Sequence, residues 1–264
     1  MTVLDRIVAG VRRDLESRMK ARPRAMIEAD AADRPPTRDF YAALGGTQLS
    51  LIAEVKRSSP SRGAIRMDVD PVDVAVMYAT AGVDAISVLT EGRHFGGSLN
   101  DLKRISEVLG AGGPPVLRKD FIVDPYQVYE ARAYGADCVL LMASLLTQQQ
   151  LVELLHISRA LGMAGLVEAH DAAETERAVE SGARIIGINN RNLHTLEVEP
   201  ATFERLRPHI PAGRLAVAES GVRDREDMAR LARLGADAVL VGEVIMSAPD
   251  IGVKVREMRC ATSM

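Results

Sequence analysis

One pattern recurs four times along the chain. Apolar residues at helical spacing lead to a glycine, two further residues and then an apolar run. The copies are Gly82-Val83-Asp84-Ala85-Ile86, Gly135-Ala136-Asp137-Cys138-Val139, Gly182-Ala183-Arg184-Ile185-Ile186 and Gly235-Ala236-Asp237-Ala238-Val239. The stretch before the last copy places Met228, Leu231 and Leu234 on one helical face. A glycine just after such a stretch can take the left-handed conformation that ends a helix. The run behind it is β-rich and apolar on both faces, as a buried parallel strand requires. Each copy therefore predicts a helix, a tight turn and a strand.

Four further strand candidates bring the set to eight: Ser50–Lys56, Ala85–Glu91, Pro115–Phe121, Cys138–Ser144, Ala164–His170, Ile185–Asn190, Leu215–Gly221 and Ala238–Glu243. The intervals hold a helix and two loops each, so the expected architecture is α/β, a (β/α)8 TIM barrel. A doubly wound open sheet fits less well, because no glycine-rich fingerprint follows the first strand. Residues before Ser50 stand outside the repeat. Leu4, Ile7, Val8, Val11, Leu15 and Met19 mark an amphipathic helix over Val3 to Lys20, Arg34-Pro-Pro-Thr37 breaks the chain, and Arg38 to Leu44 reads as a short helix. Residues 1–48 are thus expected to be an N-terminal helical extension packed on the barrel of residues 49–264, within one domain, since so short a piece holds no core of its own.

Composition narrows the function classes. The chain has 264 residues, 47% of them hydrophobic, which suits one barrel of about 250 residues or two smaller domains. A net charge of −3 argues against nucleic acid as a partner. The basic run Arg12, Arg13, Arg18, Lys20, Arg22, Arg24 is interrupted by Asp14 and Glu16 and reads as a solvated helix face. Cys138 lies in an apolar run and Cys260 near the C-terminus; neither sits in a Cys-x-x-Cys pair, so no metal site is expected. Asp5 and Arg6 stand where a signal peptide would be apolar, and no run nears the roughly 20 residues of a membrane span. The expectation is a cytoplasmic protein with no membrane or nucleic-acid partner, acting as a monomer.

The chemistry gathers where strands end. Strand one ends Ala53-Glu54-Val55-Lys56, strand three Arg118-Lys119-Asp120, strand five carries Glu168 and His170, strand six ends Asn189-Asn190-Arg191, strand seven Glu219-Ser220-Gly221 and strand eight Gly242-Glu243. The C-terminal face of a barrel is its active-site face, and residues two apart project to the same side. Glu54 and Lys56 thus project together, either both inward at the mouth or both outward, and buried charges survive when paired or catalytic. Lys56, Lys119 and Arg191 are therefore expected to face Glu54, Glu168 and Glu219, an array suited to proton transfer on an anionic substrate. Structural salt bridges between strand ends explain any one residue, but the whole set less well. His170 reads more simply as a helix cap or rim residue than as a base or ligand. Ser220-Gly221 and Gly242-Glu243, after strands seven and eight, stand where barrels commonly bind phosphate through backbone N–H groups.

At this point the motifs resemble a known family. Ile52-Ala-Glu-Val-Lys-Arg-Ser-Ser-Pro-Ser61, followed by Gly63, resembles the first-strand signature of indole-3-glycerol-phosphate synthases. Val116-Leu-Arg-Lys-Asp-Phe-Ile-Val-Asp124, Leu166-Val-Glu-Ala-His-Asp171, Ile186-Gly-Ile-Asn-Asn-Arg-Asn-Leu193, Ala218-Glu-Ser-Gly221 and Leu240-Val-Gly-Glu243 resemble its other strand-end motifs, in order, and Arg38-Asp-Phe40 its extension. Ala169 stands where a larger aliphatic residue is more usual, a difference of packing behind Glu168.

The resemblance implies a lyase of tryptophan biosynthesis. It converts 1-(2-carboxyphenylamino)-1-deoxyribulose 5-phosphate into indole-3-glycerol phosphate, CO2 and water, with no cofactor or metal. It implies Lys119 as general acid at ring closure, Lys56 on the substrate carboxylate and as acid for dehydration, and Glu54 and Glu168 as bases and proton shuttles. The division of steps among these four stays open. Neighbouring cations are expected to keep Lys119 deprotonatable near neutral pH. The resemblance further implies Asn189, Arg191 and Glu219 on the sugar hydroxyls and carboxylate, Phe121 and Leu193 against the anthranilate ring, and Ser59, Ser220, Gly221, Gly242 and Glu243 around the phosphate, the last through its backbone with its side chain turned away. Two related phosphate-binding barrels fit less well. Phosphoribosylanthranilate isomerase would need a cysteine at a strand end, and the tryptophan synthase α chain has no use for the two lysines. A non-catalytic sensor would be expected to lack some of Lys56, Lys119, Glu54 and Glu168, and all four are present.

Overall fold

The computed structural model describes residues 2–192 and 195–259, so Leu193 and Cys260 lie outside the described residues. Eight parallel strands close into a ring in chain order: β1 (Ser50–Val55), β2 (Ala85–Leu89), β3 (Val116–Lys119), β4 (Cys138–Met142), β5 (Ala164–Ala169), β6 (Ile185–Asn189), β7 (Leu215–Glu219) and β8 (Ala238–Val241). Ile52 of β1 registers with Ala85 on one side and Leu240 on the other, which closes the barrel. The strands stop one or more residues short of the predicted ends. There the polar residues take partners outside the ladder: the Phe121 amide donates to Asp120 Oδ1, and the His170 amide to Glu174 Oε2.

The repeat has a physical basis. Gly82, Gly135, Gly182 and Gly235 all have φ between 78° and 89°, the left-handed conformation that releases the chain from a helix. The acidic residue two positions later ties the next strand to its neighbour. Asp84 accepts from the Leu51 amide, Asp137 from Val116 and Asp237 from Ala216, at 2.7–2.8 Å. The copy that carries Arg184 lacks this side-chain bond and keeps only the backbone one, in which the Arg184 carbonyl accepts from the Leu215 amide as the Asp137 and Asp237 carbonyls accept from Ala164 and Ser50.

Side-chain alternation divides the strands between two apolar layers. Leu51, Ala53, Val116, Val139, Val167, Ile186 and Val239 face the surrounding helices. Ile52, Leu117, Leu140, Leu166, Ile185, Val217 and Leu240 fill the interior. The next inward position on several strands is polar, so the core changes into a charged mouth within one layer.

The extension comprises α1 (Val3–Ala21), α2 (Arg24–Ala32) and α3 (Phe40–Leu44). Thr2 and Asp5 form a capping box that starts α1. Leu4, Ile7, Val11 and Leu15 are buried as predicted, whereas Met19 reaches the surface. Phe40 and Leu44 of α3 join the interior cluster, and Val3, Leu4 and Ile7 of α1 border the open end. Arg38 fixes this extension to the repeat: its amide and guanidinium both bond Asp137, at 2.9 and 2.7 Å. Helix α2 is an element the sequence pattern did not predict. It buries Ile27 and Ala31 and packs on α6 (Pro125–Ala133). Among the described residues no helix is long and apolar enough to cross a membrane.

Candidate active site

Alternation brings the charged residues together. Glu54 lies two beyond Ile52, Lys119 two beyond Leu117, Glu168 two beyond Leu166 and Glu219 two beyond Val217, all on inward positions. Lys119 Nζ lies 3.2 Å from Glu168 Oε2 and 3.5 Å from Glu219 Oε2. Lys56 Nζ lies 2.8 Å from Glu54 Oε1. Asn189 Nδ2 donates to Glu168 Oε1 at 3.2 Å, while Asn189 Oδ1 accepts from the Arg191 amide at 3.0 Å. Arg118, one residue out of phase with Lys119, points outward. There it is fully buried and pairs with Asp120 and Glu130.

Burial makes these charges interdependent. Glu54, Glu168 and Glu219 are each at most 4% exposed. Burial pushes the Glu168 carboxyl upward, but the Lys119 ammonium and the His170 ring outweigh it and hold the group well below the usual carboxylate range. Glu219 goes the other way. Burial, and then the neighbouring charge of Glu168, push it up to about 8, so at neutral pH it is largely a neutral acid. Glu54 is lowered, its burial outweighed by Lys56 and Lys119. Burial opposes the charge on Lys119, yet Glu168, Glu219 and Glu54 raise its pKa well above the ordinary lysine value. This corrects the expectation that cations keep Lys119 easily deprotonated. Its neighbours are carboxylates, and its resting form is the ammonium.

A cavity of about 890 Å³ opens over this cluster. Its walls include Lys56, Ser59, Phe95, Phe121, Arg191, Ser220, Gly221, Gly242 and Glu243, with α1 contributing along one edge. Phe95 and Phe121 stand with ring centroids 6.0 Å apart and tilted planes, an apolar wall suited to an aromatic group. Phe95 was not read from the sequence. Three successive amides, of Arg93, His94 and Phe95, donate to the Glu91 carboxylate and set its loop. At the far end Ser220 and Gly221 both have positive φ, 64° and 83°, a turn of the kind that makes an anion-binding concavity of backbone N–H groups. Asn190 steadies it by donating to the Ser220 carbonyl at 3.0 Å. Gly242 stands before the short helix α11 (Glu243–Met246), and Ser59 Oγ accepts from the Arg62 amide at 3.2 Å.

Two other placements differ from expectation. Arg191 does not join the carboxylate cluster. It donates to the Leu196 carbonyl and lies 3.8 Å from Glu243, whose other oxygen holds Arg62 at 2.7 Å. Of the two readings of His170, the cap role belongs to Asp171, which accepts from the Glu174 amide at 2.8 Å, while His170 keeps a place just beyond the end of β5. Leu193 falls outside the described residues.

A family profile for indole-3-glycerol phosphate synthase matches residues 4–258. The indole-3-glycerol phosphate synthase of Dehalococcoides mccartyi is 52% identical over 257 residues, covering 97% of this chain and 99% of that one. The protein named indole-3-glycerol phosphate synthase 1 in Streptomyces coelicolor is 48% identical over 261 residues, covering 99% and 96%. Among solved structures, a thiamine phosphate pyrophosphorylase from Pyrococcus furiosus superposes with a TM-score of 0.62 at 16% identity, covering 81% of this chain and 95% of that one. A 3-hexulose-6-phosphate synthase from Salmonella typhimurium does so with 0.61 at 18%, covering 81% and 98%. At those identities they show the shared barrel alone. The profile and the near-full-length relatives leave no ambiguity: the chain belongs to the indole-3-glycerol phosphate synthase family, decarboxylating lyases of tryptophan biosynthesis.

Proposed function

We propose that the cavity closes the indole ring of 1-(2-carboxyphenylamino)-1-deoxyribulose 5-phosphate, with the two lysine–carboxylate groups dividing the proton transfers. The observation that carries this reading is the buried contact of Lys119 with Glu168 and Glu219, beside the separate Lys56–Glu54 pair. The ring carbon bearing the carboxylate attacks the ketone carbon of the sugar chain, and the carbonyl oxygen becomes an alkoxide. Lys119, held as an ammonium of raised pKa, donates to that oxygen; a strongly basic alkoxide is an acceptor able to take its proton. The C–CO2 bond then breaks into the iminium formed from the aniline nitrogen. The substrate supplies its own electron sink, so the reading needs no cofactor or metal. Loss of CO2 restores the aromatic benzene ring. In the last step Lys56 protonates the departing hydroxyl while Glu54 or Glu168 takes the proton from the carbon next to nitrogen, completing the indole ring. Starting from the carboxylate, the whole sequence consumes one proton.

Binding follows the shape of the cavity. Phe95 and Phe121 flank the anthranilate ring, with Leu193 in the same role by resemblance. Lys56 meets the carboxylate, Asn189, Arg191 and Glu219 meet the sugar chain, and backbone N–H groups of Ser220, Gly221, Gly242 and Glu243, with Ser59, hold the phosphate. The Glu243 carboxylate, turned to Arg62, is consistent with a backbone role there. In this reading the enzyme acts as a monomer, and a phosphorylated substrate that membranes retain supports a cytoplasmic setting. The test is turnover of the purified protein with this substrate in excess EDTA. Indole fluorescence is expected to appear; substrate that binds without turnover contradicts the reading.

A further inference from the structure

Just beyond β5 stands a charged group that this reaction scheme leaves unused. His170 follows Glu168 by two residues, and its Nε2 lies 3.2 Å from Glu168 Oε1. Its Nδ1 lies 3.0 Å from Glu174 Oε2 on α8 (Ala172–Glu180), and its own amide donates to the same oxygen at 2.9 Å. The ring thus stands between two carboxylates. Burial works against its charge, but Glu168 and Glu174 prevail and raise its pKa to about 10, so it is an imidazolium at neutral pH. Glu168 borders the cavity, whereas neither His170 nor Glu174 is among its described lining residues. Helix capping does not account for His170, because Asp171 caps α8.

We propose that His170 is a positioning residue for Glu168: anchored from behind by Glu174, its ring lies against Glu168 Oε1 as an ion pair, outside hydrogen-bond geometry, and leaves Oε2 to work against Lys119 and the substrate. The inference rests on the reading of Glu168 as an acid–base group. The surroundings show why such an anchor matters. Glu168 faces Lys119 from β3 and Asn189 from β6, but also Glu219 from β7 and Glu54 from β1. With two further carboxyls so near, Glu168 stays ionised, and so able to accept a proton, only while positive charge outweighs negative. His170 supplies that charge without taking space in the cavity.

The test compares His170→Phe, His170→Gln, Glu174→Gln and Glu168→Gln with the parent enzyme, reading kcat and KM against pH. Loss of the imidazolium raises the Glu168 pKa, and a base fails as pH falls through its own pKa. The acid limb of kcat is therefore expected to move to higher pH in His170→Phe and, by less, in Glu174→Gln. At neutral pH kcat of His170→Phe is expected to fall by about 10- to 100-fold, the scale of a roughly 1 Å misplacement, with KM within about threefold. His170→Gln, whose amide can donate to Oε1, recovers part of kcat. An unmoved acid limb in both His170→Phe and Glu174→Gln, with Glu168→Gln inactive, overturns the positioning role alone. Should His170→Phe fail to fold, the limb in His170→Gln and Glu174→Gln decides by the same criterion. Near-parental turnover by Glu168→Gln instead overturns the underlying reading of Glu168.

Discussion

Gly187 offers a sharp steric test of the cluster. It sits inward on β6, level with Val217 of β7 and Glu168 of β5. A Cβ placed there would meet Glu219 Oε1 at 2.2 Å, and Glu219 Cδ and Leu166 Cδ1 at 3.3 Å. Comfortable non-bonded contact lies near 3.5 Å, so in Gly187→Ala the Glu219 carboxyl must retreat by about 1 Å. Glu219 is only 1% exposed, and its other oxygen already lies 3.5 Å from Lys119, so the movement disturbs the acid–base cluster itself. A displacement of that size costs about 100-fold in kcat, and overpacking of this kind costs about 1–3 kcal/mol of stability. The assay is a double-mutant cycle with Glu219→Ala, read by kcat where activity permits and by denaturant unfolding in every case. Without the Glu219 carboxyl the new methyl has room, so Gly187→Ala is expected to destabilise the Glu219→Ala background little. An equal loss of stability in both backgrounds would refute the reasoning, because the strain would then lie in the β6 backbone and not against Glu219.

Three further outcomes follow from the same geometry. Gly221→Ala puts a side chain at φ 83° with its Cβ 2.8 Å from Val198 Cγ1; left-handed strain of about 1–2 kcal/mol should appear mainly as a roughly tenfold higher KM, and an unchanged KM would speak against the phosphate turn. Glu219 has a folded-state pKa raised to about 8, so its contribution to stability is full below the ordinary carboxylate range and is lost as pH rises through about 8; Glu219→Gln should gain in Tm relative to the parent between about pH 5 and pH 8, and a constant difference would contradict the raised value. Asp137→Ala removes the carboxylate from half-buried Arg38, which keeps Gly110 and Ser106, and leaves the buried Val116 amide without its acceptor; it should cost about 1–3 kcal/mol of stability with kcat nearly unchanged, whereas a large kcat loss in folded protein would mean that this end of the barrel is coupled to the site.

The barrel was legible because its repeat records two separate constraints. The glycine meets a backbone need and the aspartate two residues later meets an amide need, so both recur with the βα unit. The positions of Glu54, Lys119, Glu168 and Glu219 followed from counting in twos along each strand. What sequence could not give depends on neighbours far along the chain. Carboxylates were expected opposite the cations, but which pairs form is set by distant strands: Lys119 meets Glu168 of β5 and Glu219 of β7, so carboxylates and not other cations govern its proton. Arg191 turns to Glu243 because the loop after β6 bends back through the Arg191–Val198 bridge. Phe95 gave no periodic signal because it sits in a loop shaped by Glu91. Helix α2 buries only Ile27 and Ala31, too little to mark a face. His170 shows the limit most clearly: its side was readable from Glu168, but its second partner lies on the following helix.

In the proposed scheme the ammonium of Lys119, set against Glu168 and Glu219, drives ring closure. The most direct measurement is single-turnover release of CO2 from carboxyl-labelled substrate by the parent enzyme and by Lys119→Met. Loss of a general acid that also stabilises a developing alkoxide should slow release by about 1,000-fold or more, with substrate affinity within about tenfold of the parent. Release within about tenfold of the parental rate would contradict the claim and move the first proton transfer to Lys56.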